Sequence, residues 1–205
     1  MKTNSRTFGR TVGVAIRSML IITIVLGPLY CLVITGVGQL IFHGNANGSM
    51  IRDSRGTVVG SRLIGQSFSD KAGHPLPQYF QPRPSAAGDG YDGAASSGSN
   101  LGPENPELIK AIKQRRQQVA AFNQVSPSQV PPDAVTASGS GLDPDISPAY
   151  AEIQETRVAR ARQLPVAEVR QLVRAQTRGR TLGFLGEPTV NVLELNLALD
   201  KLRRS

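Results

Sequence analysis

Two histidines, His43 and His74, are all the imidazoles this 205-residue chain carries, so acid–base chemistry near neutral pH must pass through one of them or through a carboxylate. Ser138 or Ser140 taken with His74 and Asp143 supplies the residue types of a nucleophile, a base and an orienting acid. The spacing argues against that chemistry. Ser138-Gly139-Ser140-Gly141 has Ser where a G-x-S-x-G elbow needs its first Gly, His74 sits in a proline-rich stretch, and His43 adjoins a long apolar run. The same small-residue stretch, between a short apolar piece and a helix start, has the look of a phosphate cradle made of backbone N–H groups. It lacks the Lys-Ser/Thr of a P-loop and the G-x-G-x-x-G of a dinucleotide site. Asp143 and Asp145 could share a cation, yet an Asp-Pro-Asp run ahead of a helix is ordinarily a turn and cap. The one cysteine, Cys31, lies inside the apolar run, so the residue types specify no thiolate metal site, no disulfide and no catalytic constellation.

The elements that must position these residues begin with Ser18 to Phe42, an uncharged and mostly apolar stretch. A bilayer core of roughly 30 Å needs about 20 helical residues, which this run exceeds, so it reads as a transmembrane helix. A cleaved signal would have a shorter apolar region, about 7 to 15 residues, and a small-x-small site that is poorly matched around Asn45 to Gly48. Gly27-Pro28 marks a kink, and Gly27, Gly36 and Gly38 suit close packing against another helix. Residues 1–17 form a basic tail with Lys2, Arg6, Arg10 and Arg17 and no acid, whereas Arg52, Asp53 and Arg55 follow the span as a mixed set. That asymmetry places the N-terminus in the cytoplasm and residues 43–205 on the extracytoplasmic side. The formal charge is +8, but the tail supplies half of it, and the mild excess that remains does not call for nucleic acid.

Residues 43–205 are of a size for one domain, and the pattern predicts an α+β fold with short strands, several helices and a long ordered loop. The apolar pieces around Met50, Val58 and Leu63 predict a hairpin turned at Ser54-Arg55-Gly56. From Gln66 to Pro103 Gly, Pro, Ser and Ala dominate without any period, but Phe68, Tyr79, Phe80 and Tyr91 are interleaved, which favours an ordered surface loop over a linker. Asn105-Pro106-Glu107 starts an amphipathic helix with Leu108, Ile109, Ile112, Val119 and Phe122 on one face. Ser147-Pro148 starts a second, broken at Leu164-Pro165, and a third runs from Val166 to near Gly179. The seven arginines from Arg157 to Arg180 could face anionic lipid, an acidic partner or ATP, or simply pair with Glu152, Glu155 and Glu168. A strand over Thr189 to Leu193 then passes into a terminal helix.

Taken together, LIGQ (63–66), YFQPRPSA (79–86), ASSGSNLGPENPEL (95–108), DAVTASGSGLDPDISP (133–148), RVARAR (157–162) and GEPTVNVLELNLALDKL (186–202) make the chain resemble the C subunit of the Kdp potassium-transporting P-type ATPase complex, the KdpC family. Asp145 departs from that pattern. The resemblance implies a non-enzymatic accessory subunit of the bacterial inner membrane. Its partners would be a channel-like potassium-translocating subunit, a P-type catalytic subunit carrying the phospho-aspartate, and a small membrane subunit. It also implies a catalytic-chaperone role that supports ATP binding, in which Ser138, Gly139, Ser140, Gly141, Leu142 and Asp143 would touch nucleotide, with no obligatory cofactor. Gly27, Pro28, Gly36, Tyr79, Phe80, Arg83 and Asn100 are the expected partner-facing residues. An extracytoplasmic domain cannot meet cytosolic ATP, so the charge pattern favours a cap over the outer potassium entrance, with the nucleotide role kept beside it. A membrane-anchored extracytoplasmic hydrolase and a lipid- or polyanion-binding module remain the readings from other classes.

Overall fold

The computed structural model describes residues 5–202, so Lys2 of the basic tail lies outside the described residues. The chain divides into two compact units, Met1–Ser49 and Met50–Ser205. In the first, α1 (Ser5–Ile24) runs through a π-helical segment, Val25–Leu29, into α2 (Tyr30–Ile41), and a single turn, α3 (His43–Ala46), follows. Pro28 has no N–H to give, and the next turn widens: the Tyr30 N–H reaches the carbonyls of Gly27 and Val25. The stretch Phe8–Ile41, 34 residues, is long and apolar enough to cross a membrane, so helicity begins well ahead of Ser18. Its large side chains are exposed, Leu26 at 66% and Leu40 at 87%; lipid or neighbouring helices can cover such a surface and water cannot.

The second unit opens with the expected hairpin. β1 (Met50–Arg52) pairs antiparallel with β2 (Val58–Ser61), with a bulge between Ile51 and Arg52. Its turn is tied by Asp53, whose carboxylate accepts from the Arg55 and Thr57 N–H groups. A second sheet has the order β3-β5-β4, all antiparallel: β3 (Asp145–Ile146), β4 (Thr177–Arg178) and β5 (Thr189–Asn191). The helices are α4 (Pro106–Asn123), α5 (Pro148–Arg162), α6 (Val166–Gln176) and α7 (Val192–Leu202). Asn105 caps α4 by accepting from Glu107 and Leu108, and Ser147 caps α5 by accepting from Tyr150. Both end on a glutamine in the left-handed region, Gln124 at φ 57° and Gln163 at φ 58°.

Two boundaries differ from expectation. The strand at Thr189 stops at Asn191 and Val192 already begins α7, while α6 stops at Gln176 because Thr177 and Arg178 pair with β5. The core joins Phe80 with Ile146, Tyr150, Val158, Val169, Val173, Val190, Leu195 and Leu199. The helix α5 buries polar side chains as well, Gln154, Glu155 and Arg157. Gln154 and Arg157 reach the long loop, whereas Glu155 pairs with Arg170 of α6.

Candidate functional site

Residues 66–103 contain no helix and no extended strand, so their buried backbone groups need partners from elsewhere. Helices supply them through amide side chains. Asn196 of α7 accepts from the Phe80 N–H at 2.9 Å and donates to the Phe80 carbonyl at 3.0 Å. Gln154 of α5 treats Gln81 in the same way, at 2.7 and 3.1 Å. Arg157 donates to the carbonyls of Pro77 and Tyr79, and Arg162 to that of Gln78 while lying over the Tyr79 ring. An irregular segment thereby has its backbone groups at residues 77–81 paired by side chains instead of by a neighbouring strand.

Held in this way, the loop reaches the small-residue stretch 138–143. The Ser85 hydroxyl donates to the Gly141 carbonyl at 2.6 Å and accepts from the N–H groups of Ala87 and Tyr91. The Ser140 carbonyl takes the Ser97 N–H and the Ser96 hydroxyl, and the Leu142 carbonyl takes the Gly65 N–H. Gly141, at φ +68°, sits so tightly that an added Cβ would lie 2.5 Å from the Ser97 carbonyl oxygen. Beside it opens a cavity of about 600 Å³ lined by Leu63, Ile64, Arg83, Ser138, Gly139, Ser140, Leu142 and Asp143. Five of the six residues expected at a nucleotide thus share one cavity, and Gly141 supports them from beneath.

The electrostatics of this cavity are nearly balanced. Arg83 Nη1 meets Asp143 Oδ2 at 2.8 Å, and Arg83 Nε is buried without a partner among the described residues. The Tyr91 hydroxyl donates to the Arg83 carbonyl at 2.6 Å; burial, and then the charge of Asp143, pushes its pKa up. The other Asp143 oxygen accepts from the Asp145 N–H, and Asp145 is itself held by Asn191 and Thr189. The two carboxylates are therefore fixed by separate partners and do not converge on a cation. No histidine lines the cavity, and His74 instead pairs with Asp70 at 3.2 Å on an exposed turn. The serine-histidine-aspartate assembly is absent. Among the described residues no group of three or more His, Cys, Asp or Glu is placed to hold a metal ion.

The expected partner-facing residues divide by burial. Phe80 is 0% exposed and packs in the core, so its side chain is closed to any partner: an aromatic in an irregular loop is the loop's main apolar anchor. Tyr79 is half-buried against Phe68, Arg83 lines the cavity and Asn100 is exposed. At Gly27 and Gly36 an added Cβ would meet nothing within 4 Å, so neither glycine serves packing within the chain. Sequence reasoning noticed Tyr91 only as a loop aromatic and Ser85 only within YFQPRPSA, and assigned neither to the site, because the partners that bring them there, Gly141 and the Arg83 carbonyl, carry no spacing signal. The Arg83–Asp143 pair spans 60 residues and left no local trace.

Compared with known proteins, residues 12–201 match the family model described as KdpC, the K+-transporting ATPase c chain. The potassium-transporting ATPase KdpC subunit of Beijerinckia indica is 52% identical over 183 residues, 89% of either chain. That of Kineococcus radiotolerans is 56% identical over 181 residues, 88% of either chain. That of Mycobacterium tuberculosis is 50% identical over 192 residues, 92% of this chain and 96% of the relative.

Proposed function

Because this chain belongs to the KdpC family, the c chain of K+-transporting ATPases, we propose that it is a non-catalytic accessory subunit whose C-terminal domain covers the outer potassium entrance of its complex. Its partners in this reading are a channel-like translocating subunit, a P-type catalytic subunit that carries the phospho-aspartate, and a small membrane subunit. The helix Phe8–Ile41 anchors it in the bacterial inner membrane, with the basic tail in the cytoplasm and residues 43–205 outside.

The observation that carries this reading is the Arg83–Asp143 ion pair. A nucleotide polyphosphate brings several negative charges and requires uncommitted cationic donors. The guanidinium that lines the cavity is already neutralised, and the exposed rim residues Leu63 and Ile64, at 61% and 44%, suit a polypeptide surface better than a phosphate chain. A second reading, contact with ATP held by the catalytic subunit, is favoured by a different feature. The N–H groups of Gly139 and Ser140 have no acceptor among the described residues, and backbone N–H groups of this kind can cradle phosphate.

Purification of the complex from mild detergent tests the accessory role. The intact chain is expected to bring its partners with it and to support potassium-dependent ATP hydrolysis only when they are present. A version lacking residues 18–42 is expected to be lost from the complex. Turnover by the chain alone, or normal assembly without the span, overturns the proposal. Protease added outside intact cells separates the two roles: digestion of residues 43–205 supports the cover, and protection from outside with cleavage from inside replaces it with the nucleotide role.

A further inference from the structure

Between β4 and β5 the chain makes a small hairpin that the core does not use. Thr181 and Leu185 exchange backbone hydrogen bonds at 2.9 Å in both directions. Leu182 at φ 55° and Gly183 at φ 83° form its tip, a mirror-image turn that matches the twist of the flanking arms. A leucine in the left-handed region is strained, and strain of this kind persists where the surrounding structure fixes it. Leu182 and Phe184, 79% and 70% exposed, are the two most exposed large apolar side chains of residues 50–202, and Leu185 is 49% exposed. A fixed apolar tip that returns nothing to its own fold marks a contact surface.

The charges around the tip decide between lipid and polypeptide. Arg180 pairs with Glu187 at 2.7 Å, and Arg178 pairs with Glu194, which also takes Arg62 at 2.6 Å. The guanidiniums beside the tip are thus already countered, so the tip lacks the uncommitted basic cluster that anionic headgroups attract. Its root is tied within the domain to the β1–β2 hairpin: Glu194, the partner of Arg178, also takes Arg62, which follows Ser61, the register partner of Met50. We propose that the Thr181–Leu185 hairpin is a docking knob that seats Leu182 and Phe184 in an apolar socket on a partner subunit of the same complex. This rests on the accessory-subunit reading.

The test places a photo-crosslinking side chain at position 184 of the full chain, within the intact complex in native membranes. A covalent adduct to a partner polypeptide is the expected result; an adduct to lipid, or reaction with solvent alone, overturns the docking knob. In parallel, the Leu182→Asp, Phe184→Asp double variant is expected to lower recovery of the complex at least tenfold while the chain still accumulates in the membrane fraction. Undiminished recovery of the complex with that variant also overturns it. If the unaltered chain brings no partners at all, it is the accessory reading that fails, which keeps the two failures apart.

Discussion

Replacing Arg157 with Met tests whether the long loop is held by side chains of the helices. Arg157 is 8% exposed and has no ion-pair partner among the described residues. Its Nε donates to Asn123 Oδ1 at 2.9 Å, Nη1 to the carbonyls of Pro77 at 2.5 Å and Tyr79 at 2.9 Å, and Nη2 to Gln154 Oε1 at 2.7 Å. The guanidinium also lies 4.4 Å from the centre of the Phe122 ring. Methionine keeps much of the stem volume and deletes every donor. Two acceptors, the Pro77 carbonyl and Asn123 Oδ1, lose their partner at about 1–3 kcal/mol each, and loss of the contact with the Phe122 ring adds about 1 kcal/mol; the Tyr79 carbonyl keeps the Gln81 side-chain amide at 3.3 Å and Gln154 Oε1 keeps the Gln81 N–H at 2.7 Å. Against this, burial pushes the Arg157 pKa down to about 10, and removing that poorly compensated charge returns about 3 kcal/mol. The net loss is about 2 kcal/mol at the middle of these ranges, a sizeable share of the roughly 5–15 kcal/mol that holds a domain of this kind together. At about 2–4 °C per kcal/mol for a chain this long, thermal unfolding in mild detergent should shift down by roughly 4–8 °C. Hydrogen exchange at residues 77–81 should rise with it. Arg160→Met is the control, since Arg160 is exposed and its guanidinium bonds only Gln124 among the described residues; its expected change is below about 0.5 kcal/mol. Equal shifts for the two variants would refute the clamp.

Gly141→Ala forces a Cβ to within 2.5 Å of the Ser97 carbonyl oxygen and 2.7 Å of the Ala87 nitrogen at φ +68°, so urea unfolding should show a loss of about 2–3 kcal/mol or more. Gly139→Ala, with nothing within 4 Å, should leave stability within about 0.5 kcal/mol. Glu155 has a raised pKa, first because it is buried and despite its 3.0 Å bond to Arg170. A carboxyl with a higher pKa folded than unfolded binds its proton more readily in the fold, so its contribution to stability grows as pH falls from neutral toward the ordinary value of 4.5. Glu155→Gln should flatten that slope and hold or raise the unfolding temperature at pH 7. Below about pH 4 the trend should reverse, because Asp53 and Asp70, held below the ordinary carboxylate value first by the Thr57 and His74 backbone N–H groups, lose stability as they are protonated.

Elements governed by local rules were legible in the sequence. Asn105-Pro106, Ser147-Pro148, Leu164-Pro165 and the turn at Asp53 to Gly56 act through residues within four positions of one another, and the helices and hairpin follow. What was not legible depends on distance along the chain. Arg157 and Arg162 belonged, by spacing, to an arginine-rich surface, yet both turn inward, and Arg162 keeps only 4% of its side chain exposed. Their acceptors are carbonyls 78 to 84 positions away in a loop without periodicity. Phe80 read as an interface aromatic for the same reason: nothing local distinguishes an aromatic that anchors a loop from one that greets a partner. In the candidate site, the stretch 138–143 was visible as a small-residue motif. Its main electrostatic property, neutralisation of Arg83 by Asp143, required the fold.

That neutralisation has to be weighed with the way the loop is built. The carbonyls and N–H groups of residues 77–81 are matched by Asn196, Gln154 and Arg157, and the carbonyls of residues 140–142 by Ser85, Ser97 and Gly65. A surface assembled from so many specific pairings has little freedom to close on a small molecule. It can still meet a large complementary surface without losing conformational entropy on contact. A nearly neutral cavity with an apolar rim on such a rigid scaffold fits a polypeptide better than a polyanion that must gather cations around itself. The geometry and the charge balance therefore favour the proposed role, in which this domain would act on its complex by shape and leave the chemistry of ATP to another chain.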